Sequence, residues 1–153
     1  MILHIYTDGA ARGNPGPAGA GAVLQVQNSE FPPIRRAGKV QSWRFKKFLG
    51  DTTNNKAEYQ ALILALCKAR ELIGQNNFAI DKIICYSDSE LLIKQLRREY
   101  KVKDKILGSL FVKIYNMSQD LPPIQYRHIQ REKNKEADRL ANKAIDKFNG
   151  TMD

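Results

Sequence analysis

Residues 2–8, ILHIYTD, are apolar or neutral on both alternating faces, the pattern of a central strand covered on both sides. A small-residue strand over 19–27 follows. Residues 40–48 alternate, with Trp43 and Phe45 on one face and Arg44 and Lys46 on the other, which predicts a half-buried strand. Between these two, Pro32 and Pro33 break the chain. The first three strands read as an antiparallel meander.

Helical periodicity begins next. Leu62, Leu66, Ala69 and Ile73 share one helix face, with the Thr-Thr-Asn-Asn stretch supplying capping oxygens and Gly74 a stop. Residues 80–88 form a fourth strand, and Ser89 caps a short helix through Leu96. A further helix over 100–118 carries Ile106, Leu110, Lys113 and Ile114 along one side. Pro122 and Pro123 reset the chain before a fifth strand over 124–129. The last helix starts near Asn134, with an apolar stripe of Ala137, Leu140, Ala141, Ala144, Ile145 and Phe148, and the tail from Asn149 is expected to fray. The order predicts one α/β domain over 1–153: a meander followed by crossover-connected strands flanked by helices.

Composition narrows the partners. The 153 residues carry 25 Lys and Arg against 16 Asp and Glu, a formal charge of +9. That favours an anionic partner, above all nucleic acid. The two cysteines, Cys67 and Cys85, sit among apolar neighbours and read as buried free thiols in a reducing compartment. No apolar run approaches membrane-spanning length. The chain opens directly on a strand, without room for a signal peptide, so a cytosolic protein is expected.

The loop after the first strand, GAARGNPG, looks like a phosphate cradle, but its surroundings exclude the two common ones. No Gly-Lys-Ser/Thr follows, as a P-loop requires. A dinucleotide fingerprint needs a helix to open within the loop, which Pro15 and Pro17 prevent.

Acidic residues supply the chemistry instead. Asp8 ends the first predicted strand, and Asp88 the fourth. Glu58 and Asp138 lie in the first turns of the first and last helices. Each alone suits a turn or a helix N-terminus. Together they occupy the strand ends and helix starts that gather at functional crevices in α/β sheets. Converging carboxylates repel unless protonated or bridged by cations. Oxygen ligation without a His/Cys cluster points to Mg²⁺ or Mn²⁺, and two such ions suit phosphodiester displacement.

Four stretches, YTDGAARGNPGPAGAG, TTNNKAEYQALILAL, YSDSELLIKQL and REKNKEADRLANKA, together resemble the type 1 ribonuclease H family over nearly the whole chain and in the same order. The resemblance implies a ribonuclease H-like fold with a five-stranded mixed sheet flanked by helices. It implies Mg²⁺-dependent endonucleolytic cleavage of the RNA strand of RNA–DNA hybrids, leaving 5′-phosphate and 3′-hydroxyl ends. The family's metal-binding acids fall on Asp8, Glu58, Asp88 and Asp138, with Asp8 bridging both ions. Asn14, Asn54 and Asn55 match positions that touch the nucleic acid, and Gly9 and Ala11 would contribute through the backbone. The small side chains from Gly9 to Gly16 would let the minor groove approach, where backbone groups can read a 2′-hydroxyl. For Asn54 and Asn55, helix capping is the competing explanation.

Three features depart from longer family members. They place a catalytic His on a long loop before the last acid, whereas RHIQREKNKEAD is short. His128 is expected in the fifth strand, and Arg131, in the loop, becomes the candidate for leaving-group stabilisation or product release, with His128 second. The basic protrusion is missing, its place taken by Arg97, Arg98, Lys101, Lys103 and Lys105. Residues 28–50 are longer than usual and mix six cations with aromatics in IRRAGKVQSWRFKKF, either a track for a phosphate backbone or an ordinary strand with a solvated basic face. A monomer is expected, with no protein partner and no membrane. The alternatives are a resolvase or transposase-like nuclease of the same superfold, and a non-catalytic hybrid-binding module.

Overall fold

The computed structural model describes residues 1–28 and 40–148. The Pro32–Pro33 break, the cations Arg35, Arg36 and Lys39, and the tail from Asn149 lie outside these residues. The elements are β1 (Ile2–Ala11), β2 (Gly16–Gln27), β3 (Gln41–Thr52), α1 (Asn54–Asn76), β4 (Lys82–Ser87), α2 (Glu90–Leu96), α3 (Lys105–Gln119), β5 (Ile124–His128) and α4 (Lys135–Phe148). A 3₁₀ turn, Arg131–Lys133, precedes α4. The five strands form one sheet in the order β3-β2-β1-β4-β5. β1, β2 and β3 pair antiparallel, whereas β4 pairs parallel with both β1 and β5, as the meander-then-crossover order predicts.

Alternation along β2 separates the two helical layers. Ala22, Leu24 and Val26 join Leu3, Ile5 and the α1 side chains Tyr59, Leu62, Leu66 and Ala69 in the main core, against which α3 also packs. Gly19 and Gly21 fall on the opposite face. A methyl group at either would collide with the α4 carbonyls of Ala141 and Ala137, so the small-residue run brings α4 close to the sheet.

Several boundaries differ from the sequence pattern. β1 does not end at Asp8. Its ladder with β2 continues from Asp8↔Gly21 to Ala11↔Ala18, because small residues on both strands allow pairing almost to the hairpin tip. The turn is confined to Arg12–Pro15, with Gly13 at φ 102 and a cis Asn14–Pro15 bond. Gly74 does not stop α1. It is surrounded by open space, and the helix runs on to Asn76, capped by Asn77 in the left-handed region at φ 52. α3 starts at Lys105, where the Asp104 carboxylate accepts from the amides of Ile106 and Leu107. Its inward residues are therefore Leu107 and Ile114, while Ile106 is 52% exposed. Phe148, placed in the α4 stripe, is exposed and instead stacks on Phe48 of β3 with ring centroids 3.7 Å apart. The remaining stripe residues, Ala137, Leu140, Ala141, Ala144 and Ile145, are buried. Cys67 and Cys85 are free thiols, and burial pushes the Cys85 thiol up. No helix among the described residues is long and apolar enough to cross a membrane.

Candidate active site

The sequential order of the strands reverses at the parallel pair β1 and β4, and a crevice opens there. The parallel ladder ends at Tyr6↔Tyr86, two residues before Asp8 and Asp88. Beyond that point the chains no longer pair, and carboxylates occupy the gap. Asp8 and Gly21 are cross-strand partners, so the Asp8 side chain leaves β1 on the α4 face. Glu58 arrives from α1, one turn in from Asn54 and so just past the first turn where the sequence pattern placed it. Ligand oxygens of Asp8, Glu58 and Asp88 lie within 4.8 Å of one another. Asp138, in the first turn of α4, stands outside this tight trio but lines the same crevice, where it helps hold the Asp8 carboxyl above its ordinary value.

Backbone contacts fix these positions. The Gly9 amide donates to Glu58 Oε1 at 2.5 Å. A side chain on Gly9 would overlap the Ala57 carbonyl, so glycine is required for β1 and α1 to meet. Thr53, not Asn54, caps α1, its hydroxyl accepting from the Lys56 amide at 3.3 Å. Asn54 instead accepts from the Ala11 amide at 3.0 Å, while Asn14 Oδ1 accepts from the Asn54 amide at 3.1 Å. The hairpin tip and the start of α1 are thus laced together by two asparagines. Asn55 is exposed beside them on the crevice wall.

The acids pay electrostatically for this proximity. Burial, followed by the charges of Glu58 and Asp88, pushes Asp8 up to about 10. Burial raises Glu58 to about 8 against the opposing pull of the Gly9 amide. Protonation or bound cations relieve such a cluster. The donor set consists of carboxylate oxygens, with no His or Cys among the crevice residues. That set fits a hard divalent ion such as Mg²⁺ or Mn²⁺ and not Zn²⁺.

The crevice has a volume of about 530 Å³, and its lining includes Gly9, Ala11, Asn54, Asn55, the four acids and Arg131. Arg131 opens the 3₁₀ turn and is exposed at the rim. His128 is the last residue of β5, as expected; it is exposed and not among the lining residues, although its strand partner Ser87 directly precedes Asp88. Asn14 is not among the lining residues and reaches the crevice only through Asn54.

Three residues escaped the sequence reading. Arg12 and Asn142 line the crevice, and Asn142 Nδ2 donates to Asp138 Oδ1 at 3.2 Å. Their signals were visible: Arg12 is the lone charge in the small-residue hairpin, and Asn142 lies four residues after Asp138 on one helix face. Asn134 is buried, and its Nδ2 donates to the Thr7 carbonyl at 2.8 Å, tying the start of α4 to β1 just before Asp8.

Residues 6–144 match the family model described as reverse transcriptase-like. The structure of LC11-RNase H1 in complex with an RNA/DNA hybrid superposes with a TM-score of 0.79 at 39% identity, covering 95% of this chain and 98% of that one. RNase H1 from the halophilic archaeon Halobacterium salinarum gives 0.78 at 35% identity, covering 96% of this chain and 99% of that one. The chain belongs to the type 1 ribonuclease H family. It is also 37% identical over 146 residues to a bifunctional protein of Mycobacterium tuberculosis, covering 95% of this chain. This ribonuclease H chain spans about a third, 36%, of that relative's length.

Proposed function

We propose that this protein is a metal-dependent endonuclease that hydrolyses the RNA strand of RNA–DNA hybrids, leaving 5′-phosphate and 3′-hydroxyl ends. The observation that carries this reading is the convergence of Asp8, Glu58 and Asp88 in an open crevice walled by a laced hairpin and helix start. Hybrid-bound LC11-RNase H1, so similar in sequence and fold, supports the same substrate here.

Asp8, Glu58, Asp88 and Asp138 would hold two Mg²⁺ ions, or Mn²⁺ in their place. When bound, these ions supply an activated water and neutralise charge on the phosphodiester. The chain's own groups do the rest. Glu58 is held by the Gly9 amide, so its carboxylate is oriented before any ion arrives. Asn54 and Asn14 hold the hairpin wall rigid, and the small residues Gly9 and Ala11 leave space for a minor groove. Asn54 and Asn55 present amides to it, and backbone or amide contact with a 2′-hydroxyl distinguishes RNA from DNA. Arg131, exposed at the rim, would steady the leaving oxygen or help product depart. Because all these residues come from one chain, action as a monomer is sufficient. The free cysteines suit a cytosolic setting.

Cleavage of matched hybrid, duplex RNA and duplex DNA tests the assignment. Preferential cutting of the hybrid is expected. Cutting of duplex DNA at a comparable rate would favour a resolvase-like nuclease, and binding without cleavage a non-catalytic module.

A further inference from the structure

We propose that Arg12 is a substrate-positioning residue that binds a non-bridging oxygen of the RNA phosphodiester next to the one being cut. The proposal rests on the reading of the crevice as a hybrid-cleaving site.

Two cations line the crevice, Arg131 and Arg12. Arg12 comes from the hairpin tip and reaches across to α4. Its Nη1 pairs with Asp146 Oδ1 at 2.5 Å, and its Nη2 donates to the Asn142 carbonyl at 3.4 Å and to Asn142 Oδ1 at 3.5 Å. Asn142 in turn donates through Nδ2 to Asp138 Oδ1 at 3.2 Å and to the Asp138 carbonyl at 3.0 Å. One side-chain amide therefore separates the guanidinium from a carboxylate of the cluster. The guanidinium is thus offset from the acids, which suits it to a neighbouring phosphate of the same strand rather than to the reacting one.

Structural bracing alone is a poor account of this arginine. Its side chain is 41% exposed and that of Asp146 is 48% exposed, and ion pairs this open contribute about 0–1 kcal/mol. The hairpin is already fastened to α1 by Asn14 and Asn54. What the contacts achieve is preorganisation. A guanidinium has five N–H donors in a fixed fork, and Asp146 and Asn142 engage only part of it. The rest stays available to a phosphate, with little side-chain entropy left to lose. Arg12 adds a second cation to Arg131 in a crevice otherwise lined by carboxylates, amides and small residues.

Hybrid binding in Ca²⁺, measured across a series of salt concentrations, tests this. Arg12→Ala should weaken binding about tenfold at low salt and flatten the logarithmic salt slope by about 0.7–0.9, the value of one phosphate contact. Arg12→Lys should retain the slope and most of the affinity. In steady-state cleavage Arg12→Ala should raise KM more than it lowers kcat. An unchanged affinity and slope in Arg12→Ala, with only a lower Tm, would overturn the proposal and leave Arg12 as a brace. Failure of the parent protein to bind hybrid at all would instead remove the reading on which the proposal rests, and the proposal with it.

Discussion

The amide of Gly9 and the carboxylate of Glu58 meet at 2.5 Å, joining β1 to the N-terminal part of α1 at the acidic cluster. The contact exists because Gly9 has no side chain to keep the Ala57 carbonyl away. Gly9→Ala should therefore force β1 and α1 apart. The expected cost is about 1–3 kcal/mol, the usual range for overpacking, read as a lower urea midpoint. Activity should fall further than stability, because Glu58 loses the donor that aims it.

The acidic cluster lowers stability as pH rises when no metal is bound. Asp8 and Glu58 keep their protons in the folded chain, up to about 10 and about 8, while the unfolded chain releases them near pH 4. The native state thus binds more protons across that window, and unfolding free energy declines with pH from about 4 upward. Urea melts in EDTA at pH 5, 7 and 9 should show this decline, and Mg²⁺ should reduce it. Asp8→Asn, which removes one charge, should leave the metal-free protein as stable or more stable at pH 8 while cleavage falls below a few per cent of the parent. A metal-free protein whose stability does not change with pH would contradict this electrostatic picture.

The basic face of β3 is partly spoken for. Arg44 pairs with Glu136 of α4 at 3.0 Å, whereas Lys46 and Lys47 are exposed. Charge reversal at Lys46 and Lys47 should weaken hybrid binding several-fold and lower its salt dependence if this strand follows the phosphate backbone. Equal affinity and slope in parent and variant would make it an ordinary solvated strand.

Arg131 and His128 divide cleanly by position. Arg131 stands on the crevice rim, and His128 at the end of β5 is not among the crevice residues. Arg131→Ala should lower kcat by about one to two orders of magnitude with hybrid affinity in Ca²⁺ nearly unchanged. His128→Ala should be milder. Comparing single and multiple turnover locates the step: a defect confined to multiple turnover places Arg131 in product release. A larger loss for His128→Ala would transfer the role to the histidine.

Much of this was legible from residue pattern, for physical reasons that also explain what was not. Strand and helix order followed from periodicity, and the four acids do line one crevice, although Asp8 lies inside the β1 ladder and Glu58 past the first turn of α1. The extent of β1 was hidden because Gly and Ala pair in a ladder without any apolar signal, so residues 9–11 read as loop. The same small residues serve two needs that sequence cannot separate: close packing on α4 at Gly19 and Gly21, and contact with α1 at Gly9. Gly74 looked like a stop because glycine usually ends helices, but a single exposed glycine costs only about 1 kcal/mol, which a 23-residue helix absorbs. A helix begun at Tyr100 would turn Ile106 inward. The true start is set by the Asp104 cap, and Leu107 takes the core position. Asn54 was read as a cap or a substrate contact, and its bond to Ala11 depends on a hairpin forty-three residues away that no local pattern reveals.

The most direct test of the account uses an RNA–DNA hybrid labelled separately on each strand, incubated with the parent protein and with Asp88→Asn, in Mg²⁺ and in EDTA. The account predicts internal cuts in the RNA strand only, with 5′-phosphate and 3′-hydroxyl ends, in the parent with Mg²⁺ and in no other combination. Cutting of the DNA strand, cleavage persisting in EDTA, or parent-like activity in Asp88→Asn would contradict it.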